Sequence, residues 1–295
     1  MDDFRLRVFL AAARTLSFTR AAEELFISQP AVSKHVSALE TAYGVPLFNR
    51  RGSRLCLTAA GEVLLGCAER LEAEYRHLQY AMSRCTERLE GELRLGASTT
   101  VAQYLLPPIL ARFTARYPHL DVTLASGNSD QIEQALERGT VDLGIVESFS
   151  HRHGLFYDPF TEDELVLVVR PDGAYGRLES VTPEQLCTLP LVMREGGSGT
   201  LEVTAAALAR AGIRLRMLRI VMRLGSTEGI KAFVRNSDTL AIVSVIAVVD
   251  ELRRGELRVI DLEGLSLRRS FSFVHPAAEL PESVRRFTDF ARASL

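Results

Sequence analysis

Residues 17–61 read SFTRAAEELFISQPAVSKHVSALETAYGVPLFNRRGSRLCLTAAG. Ser17 is placed to cap a short helix whose inner face is Ala21, Ala22 and Leu25. Ser28 is placed to cap a second helix, with Gln29 and Pro30 in its first turn, where proline is well tolerated. That helix runs to Gly44 and buries Val32, Val36 and Leu39. Ser33, Lys34 and Ser37 must then point elsewhere, with Gln29 at the exposed N-terminal end. Two short helices joined by a tight turn, the second offering Gln, Ser and Lys near its start, have the geometry of a DNA-reading helix-turn-helix. Glutamine pairs with an adenine edge, and serine contacts several base edges. Residues 45–58 predict two short strands with a turn at Arg51, Gly52 and Ser53. Arg50, Arg51 and Arg54 cluster at that turn, as on a wing that lays guanidiniums on phosphates or into a minor groove. Upstream, FRLRVFLAAA (4–13) places Phe4, Leu6, Val8, Phe9, Ala12 and Ala13 at helical spacing. The pattern leaves two readings open: a DNA-binding head, or a small three-helix bundle whose arginines are only solvated.

The whole chain has 295 residues, 47% hydrophobic and 24% charged, enough for two or three domains with sizeable cores. Its net charge of −2 excludes a globally basic coat for nucleic acid. Residues 1–60 nevertheless carry eight Lys/Arg against five acids, a basic head on an acidic body. Four cysteines (Cys56, Cys67, Cys85, Cys187) form no CxxC pair, which argues against a zinc ribbon or disulfide scaffold and fits a reducing cytoplasm. The start is acidic and a poor signal peptide, and the longest apolar run, near Leu240–Val249, is far short of a membrane span.

Thr58 is a natural cap for a long helix. Leu64, Cys67, Leu71, Tyr75, Leu78, Met82, Cys85 and Leu89 recur at steps of three and four, and Gly91 ends the pattern. Cys67 and Cys85 read as core positions on this stripe rather than redox sensors. A small head cannot cover so long a stripe, so its partner is the same helix of a second chain or the body of its own chain. Beyond Gly91, strands and helices alternate: ELRLGAS, TVAQYLLPPILARFTARY with a break at Pro107-Pro108, DVTLASGN, SDQIEQALERG and VDLGIVES. That order predicts an open parallel sheet with helices on its faces. LFYDPF and ELVLVVRP read as two further strands, and the pattern continues through TPEQLCTLP, LVMRE, GGSGTLEVTAAALARAG, RIVMRLGST, EGIKAFVRN and TLAIVSV to a last helix in PESVRRFTDFARAS. Four turns set small hydroxyl or amide residues at strand ends before helices: Ser98-Thr99-Thr100, Gly127-Asn128-Ser129, Gly197-Ser198-Gly199-Thr200 and Gly225-Ser226-Thr227. Such turns either cap their helices or hold an anion on backbone N–H groups.

The quoted stretch resembles the N-terminal domain of the LysR-type transcriptional regulators. The resemblance rests on Ala21-Ala22 with Leu25, Ser28 through Ser33, Leu39-Glu40, Gly44, Leu47-Phe48 with Arg50, Leu57-Thr58 and Gly61. It implies an α/β protein with an N-terminal winged helix-turn-helix (1–58), a linker and dimerisation helix (59–90) and a two-lobed effector-binding domain like a periplasmic binding protein (91–295). Lobe I would take about 91–161 and 267–295, and lobe II about 162–266. It implies double-stranded DNA with a two-fold promoter site as partner, read by Ser28, Gln29, Pro30, Ser33, Lys34 and Ser37 and held by Arg50, Arg51 and Arg54. It also implies assembly into a dimer or tetramer, contact with RNA polymerase, a cytoplasmic setting, and neither a cofactor nor a metal. The family's effector cleft carries over onto Ser98, Thr99, Thr100, Asn128, Ser129, Ser198, Gly199, Thr200 and Thr227. Glu147, just after VDLGIV, either lines the hinge or is a solvated loop acid. DPFTEDELVLVV, GSGT and LGSTEGIKAFV look like the branch regulating carbon fixation and sulfur assimilation, whose effectors tend to be small anionic metabolites. Where the family is often glycine-rich this chain has Asn236 through Leu240, so no ligand contact is carried over there.

Catalytic patterns do not emerge. Gly196-Gly197-Ser198-Gly199-Thr200 lacks the last glycine of a nucleophile elbow, and there is no P-loop or dinucleotide fingerprint. His151-Arg152-His153 has no partner ligand at metal spacing. The rival classes are a solute receptor fused to a basic head and an esterase-like enzyme using Ser198.

Overall fold

The computed structural model describes residues 3–51, 54–83, 90–147, 152–276 and 280–295. Two compact units divide the chain near residue 87.

The first unit packs α1 (Phe4–Thr15), α2 (Phe18–Glu24) and α3 (Gln29–Tyr43) beside a hairpin of β1 (Phe48–Arg51) and β2 (Arg54–Leu57). Ser17 accepts the Arg20 N–H at the start of α2, and Gly44 ends α3 in the left-handed conformation, as the sequence predicts. Val32 and Val36 pack on Val8, Ala12, Ala21 and Ala22, while Leu39 joins Leu6, Phe9 and Leu10 in a second cluster. The Glu40 carboxylate accepts the backbone N–H groups of Leu47 and Phe48, at 2.7 and 3.3 Å, and so fixes α3 against the hairpin. Thr58 caps α4 (Ala59–Ser83) through the Gly61 N–H and donates its hydroxyl to the Pro46 carbonyl. Leu64 and Leu65 flank the fully buried Ala68 on the head's core, so the covered face of α4 differs from the Leu64–Cys67–Leu71 line drawn from the sequence. Cys67 is half-buried, whereas Cys85 and Leu89 lie outside the described residues.

The second unit holds a ten-stranded mixed sheet ordered β4-β3-β5-β12-β6-β10-β8-β9. Its strands are β3 (Gly91–Ser98), β4 (Leu120–Gly127), β5 (Leu143–Val146), β6 (Phe156–Val169), β7 (Ser180–Val181), β8 (Leu191–Arg194), β9 (Ile220–Leu224), β10 (Leu240–Ser244), β11 (Arg258–Leu262) and β12 (Arg268–His275). β11 lies along the second half of β6, with β7 beyond it. The helices are α5 (Leu106–Arg116), α6 (Ser129–Glu137), α7 (Pro183–Leu186), α8 (Gly199–Arg210), α9 (Thr227–Arg235), α10 (Val249–Arg254) and α11 (Glu282–Arg292). Strand β6 is the crossing point. Phe160 packs with Phe271 and Phe273 in one core, whereas Leu165 packs with Leu191, Leu240 and Leu267 in another. β12 crosses back between Leu267 and Phe271. Two lobes therefore share a two-strand hinge.

Three sequence expectations need correction. The sheet is not parallel throughout: β3, β4 and β5 pair in parallel, as do β8, β9 and β10, but β6 and β12 run antiparallel to their neighbours. LFYDPF and ELVLVVRP are one strand, because the polar Thr161–Glu164 stretch between them spans the hinge in extended form. Gly91 opens β3 rather than closing a helix, and α4 is described only to Ser83. The break expected at Pro107-Pro108 takes the form of a π-helical turn over Val101–Leu105 that passes into α5, whose first turn holds the prolines.

Gly61 sits where a Cβ would lie 2.2 Å from the Leu47 carbonyl oxygen. Gly61→Ala is expected to lower head stability by roughly 1–3 kcal/mol, the usual range for overpacking, read as a lower urea midpoint for the full chain with an early loss of helical signal.

Candidate functional site

The first candidate surface is the outer face of α3. Ser28, Gln29, Pro30, Lys34 and Ser37 are exposed and Ser33 is half-buried, opposite the buried Val32, Val36 and Leu39. Ser28 occupies the cap position but makes no capping bond with its side chain, so the predicted cap is corrected: proline at the second helical position already removes one N–H donor there. Phe26, in the turn before α3, is 95% exposed with a left-handed backbone, which the sequence reading passed over. Arg50, Arg51 and Arg54 fall on the hairpin, where Arg51 pairs with Arg54 across the strands; their side chains and Gly52-Ser53 lie outside the described residues.

The second is the hinge between the two lobes. Ala97 pairs with Ile145, so two residues further Thr99 and Glu147 follow at the carboxyl ends of the same two parallel strands. Glu147 is buried, which removes the solvated-loop reading. The start of α8 closes on it: a Cβ on Gly199 would meet the Glu147 carbonyl oxygen at 2.0 Å, so only glycine allows the approach. The Arg269 guanidinium, on β12, ties the region together. Its Nε donates to Asp163 Oδ2 at 2.7 Å, and its Nη1 donates to Glu147 Oε1 at 3.1 Å and to Thr200 Oγ1 at 2.9 Å. The other Asp163 oxygen accepts the Ser244 hydroxyl at 2.7 Å. Among the described residues, four buried polar atoms around this cluster have no hydrogen-bond partner: Thr99 Oγ1, Glu147 Oε2, Ser198 Oγ and Arg269 Nη2.

Among the other predicted cleft residues, Ser98, Asn128 and Ser129 are already engaged. Ser98 accepts the Val101 N–H, Asn128 caps α6, and Ser129 donates to the Glu147 carbonyl. Thr100 is buried before the π-helical turn without a side-chain capping bond, and Thr227 takes a long 3.5 Å contact from the buried Arg194. Contacts cross between the lobes on both sides. Asn128 donates to Glu195 and to the Gly196 carbonyl, and the Tyr104 hydroxyl donates to Glu228 beneath the Lys231 ammonium, which lies 5.1 Å from the Tyr104 ring. Burial pushes Glu195 and Glu228 up, but Arg194 for the first, and Lys231 with Tyr104 for the second, hold both carboxyls below their ordinary range. Burial and the Glu228 carboxylate raise the Tyr104 phenol, so it stays a donor. Sequence reading missed Arg269, Asp163, Arg194 and the Tyr104–Glu228 contact. The period-two pattern of Arg269, Phe271 and Phe273 was the available signal for β12; nothing local marks the others.

Arg152 pairs with Asp130, Glu133 and Glu137, while His151 lies outside the described residues. Among the described residues no group of three His, Cys, Asp or Glu side chains is placed to hold a metal.

The family model for the bacterial regulatory helix-turn-helix protein of the lysR family matches residues 4–62, and that for the LysR substrate binding domain matches residues 86–295. The chain belongs to the LysR family of bacterial transcriptional regulators. It is 32% identical to the probable RuBisCO transcriptional regulator of Cyanophora paradoxa, over 97% of this chain and 89% of that one. The full-length CbnR structure in complex with target DNA shares the fold, with a TM-score of 0.70, 24% identity and full coverage of both chains. The regulatory domain of CcmR from Synechocystis PCC6803, solved with 2-PG, is 28% identical over 70% of this chain and 97% of its own, with a TM-score of 0.63. This LysR-type chain is thus a winged helix-turn-helix regulator with an effector-binding domain, and its function is regulation rather than catalysis, as in its named relatives. Among the described residues no helix is long and apolar enough to cross a membrane.

Removing the hinge cation leaves two buried carboxylates without their shared counter-ion. Arg269→Met is expected to destabilise the effector domain by roughly 3–5 kcal/mol, measured by chemical denaturation. Adding Glu147→Gln should recover part of that loss.

Proposed function

We propose that this regulator reads a two-fold promoter site on double-stranded DNA as a dimer or tetramer and responds to a small anionic metabolite held between the two lobes. The head spans 1–58, the linker helix 59–90 and the effector domain 91–295, with the lobe limits that the resemblance implies. The observation that carries the effector reading is the set of unpartnered donors at the hinge. Arg269 Nη2 and the Ser198 and Thr99 hydroxyls are buried at the carboxyl ends of strands and beside the start of α8. Leaving such groups unpaired is costly, and an anionic group between the lobes would satisfy all three. The Synechocystis domain solved with 2-PG supports a small-molecule effector for this domain type.

Gln29, Ser33 and Lys34 lie nearest the bases in this reading, Ser28, Pro30 and Ser37 shape the approach, and Arg50, Arg51 and Arg54 hold phosphates. Self-association is supported by α4. Leu71, Tyr75 and Leu78 fall one helical turn apart and are exposed in the single chain, an apolar face fit for the same helix of a second copy. A cytoplasmic setting and contact with RNA polymerase follow from a promoter-bound role.

Gln29→Ala is expected to cost roughly 1–3 kcal/mol on the promoter site and little on random DNA, whereas Arg51→Ala weakens both alike and lowers the salt slope by about 1. Electrophoretic titrations over a salt series measure this; equal losses on both DNAs for both variants would reverse the assignments. For the effector, thermal-shift titration at fixed ionic strength is run against small carboxylates, phosphates and sulfur oxyanions. A ligand at a hundredfold excess over its Kd is expected to stabilise by about 2.7 kcal/mol, and Ser198→Ala should abolish the shift. An uncharged effector that leaves every anion silent would overturn the anionic reading.

A further inference from the structure

The hinge cluster carries more negative than positive charge. Arg269 is shared by two buried carboxylates, Glu147 and Asp163, whose side chains are 2% and 0% exposed. Asp163 is fully engaged, with Arg269 on one oxygen and the Ser244 hydroxyl on the other. Glu147 is not: Oε1 takes Arg269, while Oε2 is buried with no donor among the described residues. Within the same ion pair, Arg269 Nη2 is buried with no acceptor, and the Ser198 hydroxyl is unpartnered beside Gly199, which abuts Glu147. One side of this pair therefore lacks an anionic acceptor and the other lacks a cationic or protonated donor. A bare oxyanion would serve Arg269 and Ser198, but would bring a further negative charge to a carboxylate that is already in surplus and screened from water.

We infer that the effector is a small zwitterion, its anionic group on Arg269 Nη2 and Ser198 Oγ and a primary ammonium, a few bonds away, on Glu147 Oε2. This rests on one part of the reading above, that an anionic group of the effector meets the donors at the hinge, and adds a second, cationic group and the residue that selects it. Because Oε2 and Nη2 belong to one hydrogen-bonded pair, the two ligand charges must sit close together, as in an α-amino acid. An ammonium both donates the missing hydrogen bond and cancels the surplus charge; a hydroxyl would do only the first, and a methylene neither. All three protein atoms are enclosed, so the ligand enters through a relative movement of the lobes, which the Asn128–Glu195 and Tyr104–Glu228 contacts between them oppose.

The test uses the full-length chain and matched trios differing at one carbon: aspartate, malate and succinate; serine, glycerate and 3-hydroxypropionate. Sulfate and phosphate are the bare oxyanions. Calorimetric titration is expected to rank ammonium above hydroxyl above hydrogen within a trio, with the first and last separated by about tenfold or more, the size of a hydrogen bond to a charged group. In Glu147→Gln that separation should collapse and bare oxyanions should bind more tightly than to the wild type. Glu147→Asp, which keeps the charge but shortens the reach, should weaken the ammonium compounds without admitting bare oxyanions, and serves where the glutamine variant does not fold. If succinate or sulfate binds the wild type as tightly as the ammonium compounds and Ser198→Ala still abolishes binding, the zwitterion inference falls and the anionic reading stands. If ammonium compounds bind but are indifferent to both Ser198→Ala and the Glu147 variants, the site lies elsewhere and both fall. Silence across the whole panel at millimolar concentration likewise removes both.

Discussion

The effector domain depends on one guanidinium placed where water cannot reach it. Arg269 sits on the strand that returns from lobe II to lobe I, and its partners come from β6, from the end of β5 and from the start of α8. Those three elements belong to both lobes, so the geometry of one side chain fixes how the lobes meet. A buried ion pair of this kind adds little net stability over an apolar substitute, but leaving it half-made is expensive. Its value is positional. The bonds from Arg269 Nε and Nη1 hold Asp163, Glu147 and Thr200 at set places, and the glycine at position 199 allows α8 to come against the Glu147 backbone.

How much of this was legible beforehand divides along physical lines. The head was readable because its signals are local: Ser17 as a helix cap, a three-four apolar spacing, Gly44 at a left-handed helix end. Glu40, which clamps the hairpin with two backbone bonds, looks in sequence like any surface acid. In the effector domain the strand–helix alternation before Glu147 was legible because each parallel strand is a short apolar run followed by a turn. The hinge was not. β6 reads as two strands because its middle is polar: Asp163 is buried against Arg269, more than a hundred residues away, while Glu162 and Glu164 face solvent. No period-two or period-three rule marks such a pair. The hydroxyl-rich turns were found as a group, but telling an engaged residue from an unpartnered donor took coordinates: Asn128 caps α6 and reaches Glu195 across the lobes, and Ser129 bonds the Glu147 carbonyl, whereas the Thr99 and Ser198 hydroxyls have no partner.

The contacts on either side of the hinge differ in character from the hinge itself. Asn128 reaches Glu195 at 3.4 Å and Asp130 N–H reaches the Gly197 carbonyl at 3.3 Å, long bonds near the surface. The Tyr104–Glu228 contact issues from a π-helical turn, a backbone form frequent at functional sites. The lobes are thus joined by a buried ion-paired pivot and, outside it, by polar contacts between exposed or half-buried groups.

A ligand can shift such a pair of lobes only by the difference in its affinity for the closed and open arrangements. The unpartnered atoms supply that difference. In the proposed reading, parted lobes would admit water to Glu147 Oε2, Arg269 Nη2 and Ser198 Oγ, whereas in the closed arrangement of this structure those atoms are buried without a partner. The empty closed state therefore carries a penalty of buried, unsatisfied polar groups. A ligand that satisfies them removes the penalty and favours closure, while one that satisfies only part of the set favours it less. Under the proposed reading the same orphaned atoms make closure conditional on chemistry, and the discrimination falls on Glu147, whose Oε2 is an acceptor without a donor beside two carboxylates that share one guanidinium.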